Sequence, residues 1–379
     1  MSYGHNPGSP GYRPTRRMER PQVAQRQQRY DPRRPPPPPP GRGPGGPPPR
    51  GFGQRPPRRK KRFGRIALIV ALVIVALVAG LWIYLESSLK RVAALGDYEG
   101  RPAAGAGANW LIVGSDSRAD LSAEDEERLA TGDAKGQRTD TIMLMHIPDN
   151  STKPTLVSLL RDSYVDIPGK GKNKLNAAYA FGGSQLLAKT VELNTGLRLD
   201  HYVEIGFGGF ADVVDAVGGV DMCLANPIDD PLAGINLPAG CQELDGASAL
   251  GYVRTRKGPR ADLDRVIRQR EFIGALTDKA TNPGTLLNPF RLFPLLSAAP
   301  DAVTVDEDDH LHNLPSLAFA MGAAGDGGLT TTTVPMGGSK SVRGVGSVIL
   351  WDAAKSKKLF EALRTDAEVP ADVIVGPPA

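Results

Sequence analysis

Cysteine is scarce: Cys223 and Cys241 are the only two in 379 residues, and no histidine lies nearby in sequence. Two such ligands fall short of the four that a structural zinc site takes. No Walker-type glycine loop, H-E-x-x-H or G-x-S-x-G run is present, so ATPases, zinc proteases and serine hydrolases of the familiar kinds have no support. Acids are nearly missing from the first 65 positions, where Glu19 and Asp31 face 17 Lys and Arg, while the remaining residues hold 29 basic and 39 acidic side chains. The formal charge of +5 therefore hides a basic arm and an acidic remainder. Apolar side chains are also few in the arm, and half of the 34 prolines precede residue 58. Such a segment cannot offset its ordering entropy by burial, so residues 1–65 read as a disordered, partly polyproline II arm.

Between Arg65 and Glu86 lies IALIVALVIVALVAGLWIYL, 20 residues without a charge. At helical rise this run covers about 30 Å, the hydrocarbon thickness of a bilayer. It is too long for the apolar core of a cleaved signal peptide and sits too far from the N terminus, so 66–85 reads as a transmembrane helix. The cluster RRKKRFGR before it sets the N terminus in the cytoplasm and favours contact with anionic membrane lipid, leaving residues 86–379 outside. There Cys223 and Cys241 are expected to pair, closing a loop worth roughly 3 kcal/mol on the chain-entropy model. Two unpaired thiols are the alternative.

After a juxtamembrane stalk, 86–108, residues 109–379 read as a single extracytoplasmic domain. WLIVGS, TIMLMHIP, TLVSLL, HYVEIGF and ALGYVRTR have the β-branched content and bounding turns of strands. SQLLAKTVELNTG, GFADVVDAVGG and DLDRVIRQREFIGALTDKA read as helices, the first two closing at glycine. Strands interleaved with helices predict an α/β domain of α/β/α layering around a central mixed sheet, with a ligand site outside the strand ends.

Polar residues gather at those ends. NWLIVGSDSRAD carries Asp116 and Arg118 directly after an apolar run; RTD, Arg138 to Asp140, precedes a strand; Arg161 and Asp162 follow one; Arg254 and Arg256 lie in YVRTR. On a helical wheel from Asp262, Arg265 and Gln269 share an arc and can point together at one ligand, opposite Leu263, Val266, Ile267 and Ile273. Arg270 falls in the apolar arc and reads as a structural ion-pair residue. Any one of these arginines could be a surface ion pair. Together, Arg138, Arg161, Arg254, Arg256 and Arg265 suit a polyanion, because guanidinium meets phosphate oxygens with paired hydrogen bonds. Aspartates among them suggest a divalent cation between carboxylate and phosphate, most plausibly Mg2+.

At these residues the chain resembles the LytR-CpsA-Psr family of cell-wall glycan phosphotransferases. The likeness runs over roughly 109–280 through GSDSR, RTDTIML, SLLRDSYVDIPG, KNKLNAAYAFGG, HYVEIGFGGFADVVDAVGGVD, LDGASALGYVRTR and DLDRVIRQR, in that order. The resemblance implies an enzyme that moves a glycan phosphate from polyprenyl diphosphate onto peptidoglycan, held by one membrane span with its domain outside. By position, Asp116 and Asp140 match aspartates that hold magnesium. Arg138, Arg161, Arg254 and Arg256 match arginines that grip the diphosphate, with Asp140 and Asp162 beside them in the catalytic set. Arg265 and Gln269 match pocket residues. Arg118 and Lys174 lie in family motifs and are candidate substrate contacts, Lys174 and Asn176 being equally readable as loop-ordering residues. Leu160 departs from the proline usual before the Arg-Asp pair.

The implied reaction is attack by a peptidoglycan hydroxyl on the phosphorus nearest the glycan, polyprenyl phosphate leaving; Asp116 and Asp162 are both open as general base. The tail needs an apolar channel, and GFADVVDAVGG is either a wall of it or an ordinary core helix. Two other classes stay open: a hydrolase of the same diphosphate lipid, and a non-catalytic membrane protein that binds wall polymer or regulates transcription. An acidic domain outside the cell weighs against a nucleic-acid partner. The glycan (arabinogalactan, teichoic acid or capsule) and the oligomeric state are not legible.

Overall fold

The computed structural model describes residues 60–116, 121–131, 139–258, 262–323 and 327–375. Residues 1–59 of the arm, Arg118 and Arg138 lie outside these, while the arm's last residues, 60–65, begin helix α1. Helix α1, Lys60–Ser88, contains a stretch, Gly64–Ser88, long and apolar enough to cross a membrane, and from Ile66 to Tyr84 its large side chains are exposed. Leu85 at its end and Leu89 just beyond it behave differently, both being buried in the fold.

Seven strands form the central sheet: β1 Lys90–Val92, β2 Ala108–Ser115, β3 Thr139–Ile147, β4 Thr155–Ser158, β5 His201–Ile205, β6 Val303–Asp306 and β7 Thr330–Thr333. Their order is β1-β6-β5-β2-β3-β4-β7. The β2–β5, β1–β6 and β4–β7 pairs are parallel and the β2–β3, β3–β4 and β5–β6 pairs antiparallel, so the sheet is mixed as expected. Alternate residues of β2 serve opposite cores, as the two-residue period of a strand requires. Leu111 and Val113 join Leu187, Val191, Leu359 and Phe360 on one face; Trp110 and Ile112 join Leu89, Val305 and Met321 on the other.

The first face is covered by α2, Leu175–Thr195, which closes at Gly196 in the left-handed conformation that a side chain would strain. Beyond the second face lie α3, Phe207–Ala216; α4, Gly246–Arg254; α5, Asp262–Thr281; α6, Pro289–Ala302; and α7, Leu314–Gly322. A separate core forms where α3, α4 and Phe272 of α5 meet two small antiparallel strand pairs.

Three expectations are corrected by the structure. The segment read as a stalk is part of the domain: β1 pairs with β6, Ala94 is buried, and Asp306 Oδ1 accepts the Ala94 and Leu95 amides at 2.9 and 2.7 Å. The run ALGYVRTR is mostly helix, not strand. Asp245 caps α4 by accepting the Ser248 amide at 2.8 Å, and Gly251 allows α4 to approach the backbone of Ala233, where a Cβ would clash. Arg270 also differs from its reading, because no ion pair to it occurs among the described residues and burial lowers its pKa.

Cys223 and Cys241 are disulfide-bonded across the antiparallel pair of Val220–Leu224 and Gly240–Leu244. Replacing both by serine should lower unfolding free energy by about 3 kcal/mol, read by urea denaturation. An unchanged midpoint would mean that the unfolded chain gains little freedom from the loss.

Candidate functional site

The site begins with a register shift. Gly114 pairs with Thr141 but Ser115 with Thr139, so Asp140 is the extra residue of a β-bulge between β2 and β3. Bulges re-aim a side chain, and this one sets Asp140 beside the end of β2, where Asp116 follows. Both carboxylates line the same cavity.

Three guanidinium groups converge on Asp140. Arg161 Nη1 donates to Oδ1 at 2.6 Å, while Arg265 Nη1 and Arg256 Nη2 lie 3.3 and 3.5 Å from Oδ2. Partial burial would raise the Asp140 pKa, but Arg161, Arg265 and Arg256 outweigh it and hold the carboxyl below its ordinary range. Arg265 itself is buried, which a cation tolerates only among acids or bound anions. Beside Asp140 a recess of about 20 Å3, lined by Arg161, Asp162, Arg265 and Gln269, has room for a water-sized group.

Other expected residues sit close by with different tasks. Lys174 Nζ lies 2.7 Å from Asp162 Oδ1, and Arg161 Nε lies 3.5 Å from Asp162 Oδ2. Gln269 donates to the Val253 carbonyl at 3.1 Å and Arg268 to the Thr255 carbonyl at 2.7 Å, so α5 fixes the turn that carries Arg254 and Arg256. Arg254 is partly committed to the fold: it donates to the carbonyls of Leu129 and Ala130 at 3.0 and 3.2 Å and stacks over Phe207 at 4.9 Å. Arg256→Ala should therefore weaken binding of a diphosphate ligand by about 1.5 to 3 kcal/mol with an unchanged melting point, whereas Arg254→Ala should lower both, as ligand titration and thermal unfolding of the two variants will report. Equal melting points would assign Arg254 to ligand binding alone.

Sequence reading missed the group behind Asp116. Tyr179 donates to Glu204 Oε1 at 2.7 Å and Tyr202 donates to Oε2, while burial and then Glu204 push the Tyr179 phenol well above its usual pKa. Both residues fall inside blocks already singled out, KNKLNAAYAFGG and HYVEIGF, but the pairing joins distant parts of the chain.

The cavity behind this rim measures about 670 Å3. Its walls are almost wholly apolar, including Phe207, Phe210 and Val213 of α3, Ile273 and Leu276 of α5, and Leu314 and Leu317 of α7. Thus GFADVVDAVGG supplies both a wall and core residues, Ala211 and Val214. Leu85 and Leu89, from the end of α1 and just beyond, line the same space. The lining thus joins charged side chains, Asp116, Asp140, Arg254, Arg256 and Arg265, to apolar residues at the end of α1 and just beyond it.

For a metal, no cluster of three or more His, Cys, Asp or Glu occurs among the described residues. Asp116 and Asp140 at one rim fit an ion of the magnesium type only if substrate phosphate and water complete its shell, which is how that ion is usually bound.

Comparison with known proteins follows the same lines. Over 260 residues the chain is 57% identical to the probable cell wall biosynthesis protein LcpB of Corynebacterium glutamicum, covering 68% of this chain and 61% of that one. Over 153 residues it is 40% identical to the polyisoprenyl-teichoic acid–peptidoglycan teichoic acid transferase TagU of Enterococcus faecalis, covering 40% of this chain and 50% of that one. The chain thus spans 61% or less of the length of these two curated relatives. A LytR-Csp2A-Psr enzyme from Actinomyces oris shares the fold, with a TM-score of 0.55 at 22% identity over 73% of this chain and 96% of that one. The model of the LytR_cpsA_psr family matches residues 90–365, and the chain belongs to that family.

Proposed function

We propose that this protein is a membrane-anchored phosphotransferase that moves a glycan phosphate from a polyprenyl diphosphate carrier onto peptidoglycan. The observation that carries the reading is the joining of a large, mostly apolar cavity to a rim of arginines and aspartates. An isoprenoid tail fits the apolar walls, and a diphosphate fits guanidinium groups that now share Asp140. The position of Leu85 and Leu89 in the cavity wall supports a tail that comes from the membrane.

In this reading Arg161, Arg256 and Arg265 turn from Asp140 to the diphosphate oxygens and stabilise charge as the phosphorus–oxygen bond to the carrier breaks. A divalent cation held by Asp116 and Asp140 would neutralise phosphate charge when bound. Asp162 is the better general base of the two candidates, since it stands outside the proposed metal pair and faces the recess beside Asp140. Lys174 and Arg161 orient it. The hydroxyl of the acceptor gives up its proton there, its oxygen joins the phosphorus nearest the glycan, and polyprenyl phosphate departs along the cavity.

Mass spectrometry of lipid co-purified with the full chain from its native membrane tests the reading. A polyprenyl diphosphate bearing a glycan is expected; only bulk phospholipid, with no isoprenoid, would overturn it.

A further inference from the structure

Outside α1, Leu232 and Phe319 are exposed singly, but four other large apolar side chains are exposed together on one short segment. On the short helix Pro283–Leu286, the residue after it and α6, Leu286 is 45% exposed, Leu287 83%, Phe290 88% and Phe293 65%. Phe290, Phe293 and Ser297 follow an i, i+3, i+7 spacing and make one outer face of α6, while Leu296, Ala299 and Pro300 face the cavity. Between Pro283 and Ala302 the sequence has two charged residues, Arg291 and Asp301. A soluble surface does not keep such a patch in water without a use for it.

We propose that this outer face of α6 and its preceding turn rests in the outer leaflet of the same bilayer that α1 spans. Three observations choose lipid as the occupant. With Leu85 and Leu89 buried and β1 starting at Lys90, no slack separates the span from the domain, so the domain is held at the membrane surface. The inner side of α6 walls the very cavity that Leu85 and Leu89 enter, so the patch is continuous with the anchored region. Phenylalanine and leucine beside an exposed arginine are the composition of helices that lie in the interface, the arginine meeting lipid phosphate. The consequence, which rests on the reading of the cavity as a tail site, is that a carrier lipid passes from leaflet to cavity beside α6 without crossing water.

Two measurements on the full chain in phospholipid vesicles test this. Phe290→Trp should gain fluorescence quenching from lipids brominated on their acyl chains, relative to the wild-type protein; no added quenching overturns the proposal whether or not the protein is a transferase. The triple variant Leu287→Ser, Phe290→Ser, Phe293→Ser should slow transfer from a long-chain donor embedded in vesicles by about tenfold, yet match wild type with the same donor in detergent micelles. Equal rates in both settings, or an equal loss in both with a lower melting point, overturn it. So does a wild-type dimer that becomes a monomer in the triple variant, which would assign the face to a second copy of the chain.

Discussion

Asparagine at Asp116 or at Asp140 should reduce transfer by about a hundred- to a thousandfold, the range seen when one preorganised electrostatic group is lost from a site. The two variants should fail differently. Asp140 is the shared counter-charge of Arg161, Arg256 and Arg265, so neutralising it leaves three cations facing the donor. Donor binding should hold or tighten in Asp140→Asn while kcat falls. Asp116 lines the same cavity just past the end of β2, and Asp116→Asn should chiefly weaken a divalent ion. Chelator should abolish wild-type transfer and magnesium restore it, with Asp116→Asn needing more magnesium for half-maximal rate. If chelator has no effect and both variants run near wild-type rates, the aspartates are only partners of arginines at a strand end, a type of exposed pair worth about 0 to 1 kcal/mol.

A second large effect is expected inside the cavity. Ala318 of α7 lines it, and tryptophan there would place a bulky ring in space that the apolar walls leave empty. Transfer from a long-chain polyprenyl donor should fall about a hundredfold through KM, since a tail that cannot enter loses the burial of several methylene-sized groups. A donor with a short tail should react as before. Filling a void costs the fold little, so the melting point should not drop. Equal losses with both donors, or none with either, would show that the tail does not lie along α7.

The reach of sequence reading differs between elements for physical reasons. WLIVGS and TIMLMHIP were legible because they are buried on both faces, and continuous apolar runs follow from that. The helices that end at Gly196 and before Gly218 were legible from their C-terminal glycines, which take positive φ. ALGYVRTR misled because Tyr252 and Val253 raise its β content, while the deciding feature, the Asp245 cap, lies outside the run. β1 is three residues long, too short for any periodicity, and exists because β6 offers it an edge. At the site, the charged residues were found singly. What could not be read was their arrangement: the bulge that turns Asp140 toward three arginines, the backbone duties of Arg254 and Gln269, and the Tyr179–Glu204 pair behind Asp116. Each of these depends on contacts between segments far apart in sequence.

The central claim is that the acceptor is wall glycan and not water. It is tested most directly by following both products from a donor labelled in its glycan and in the phosphate nearest it, incubated with full-length protein and peptidoglycan. The account predicts both labels joined to peptidoglycan in equal amount, matched by polyprenyl monophosphate released. Free glycan phosphate in solution with an unlabelled wall would contradict it and make the protein a hydrolase of the same lipid.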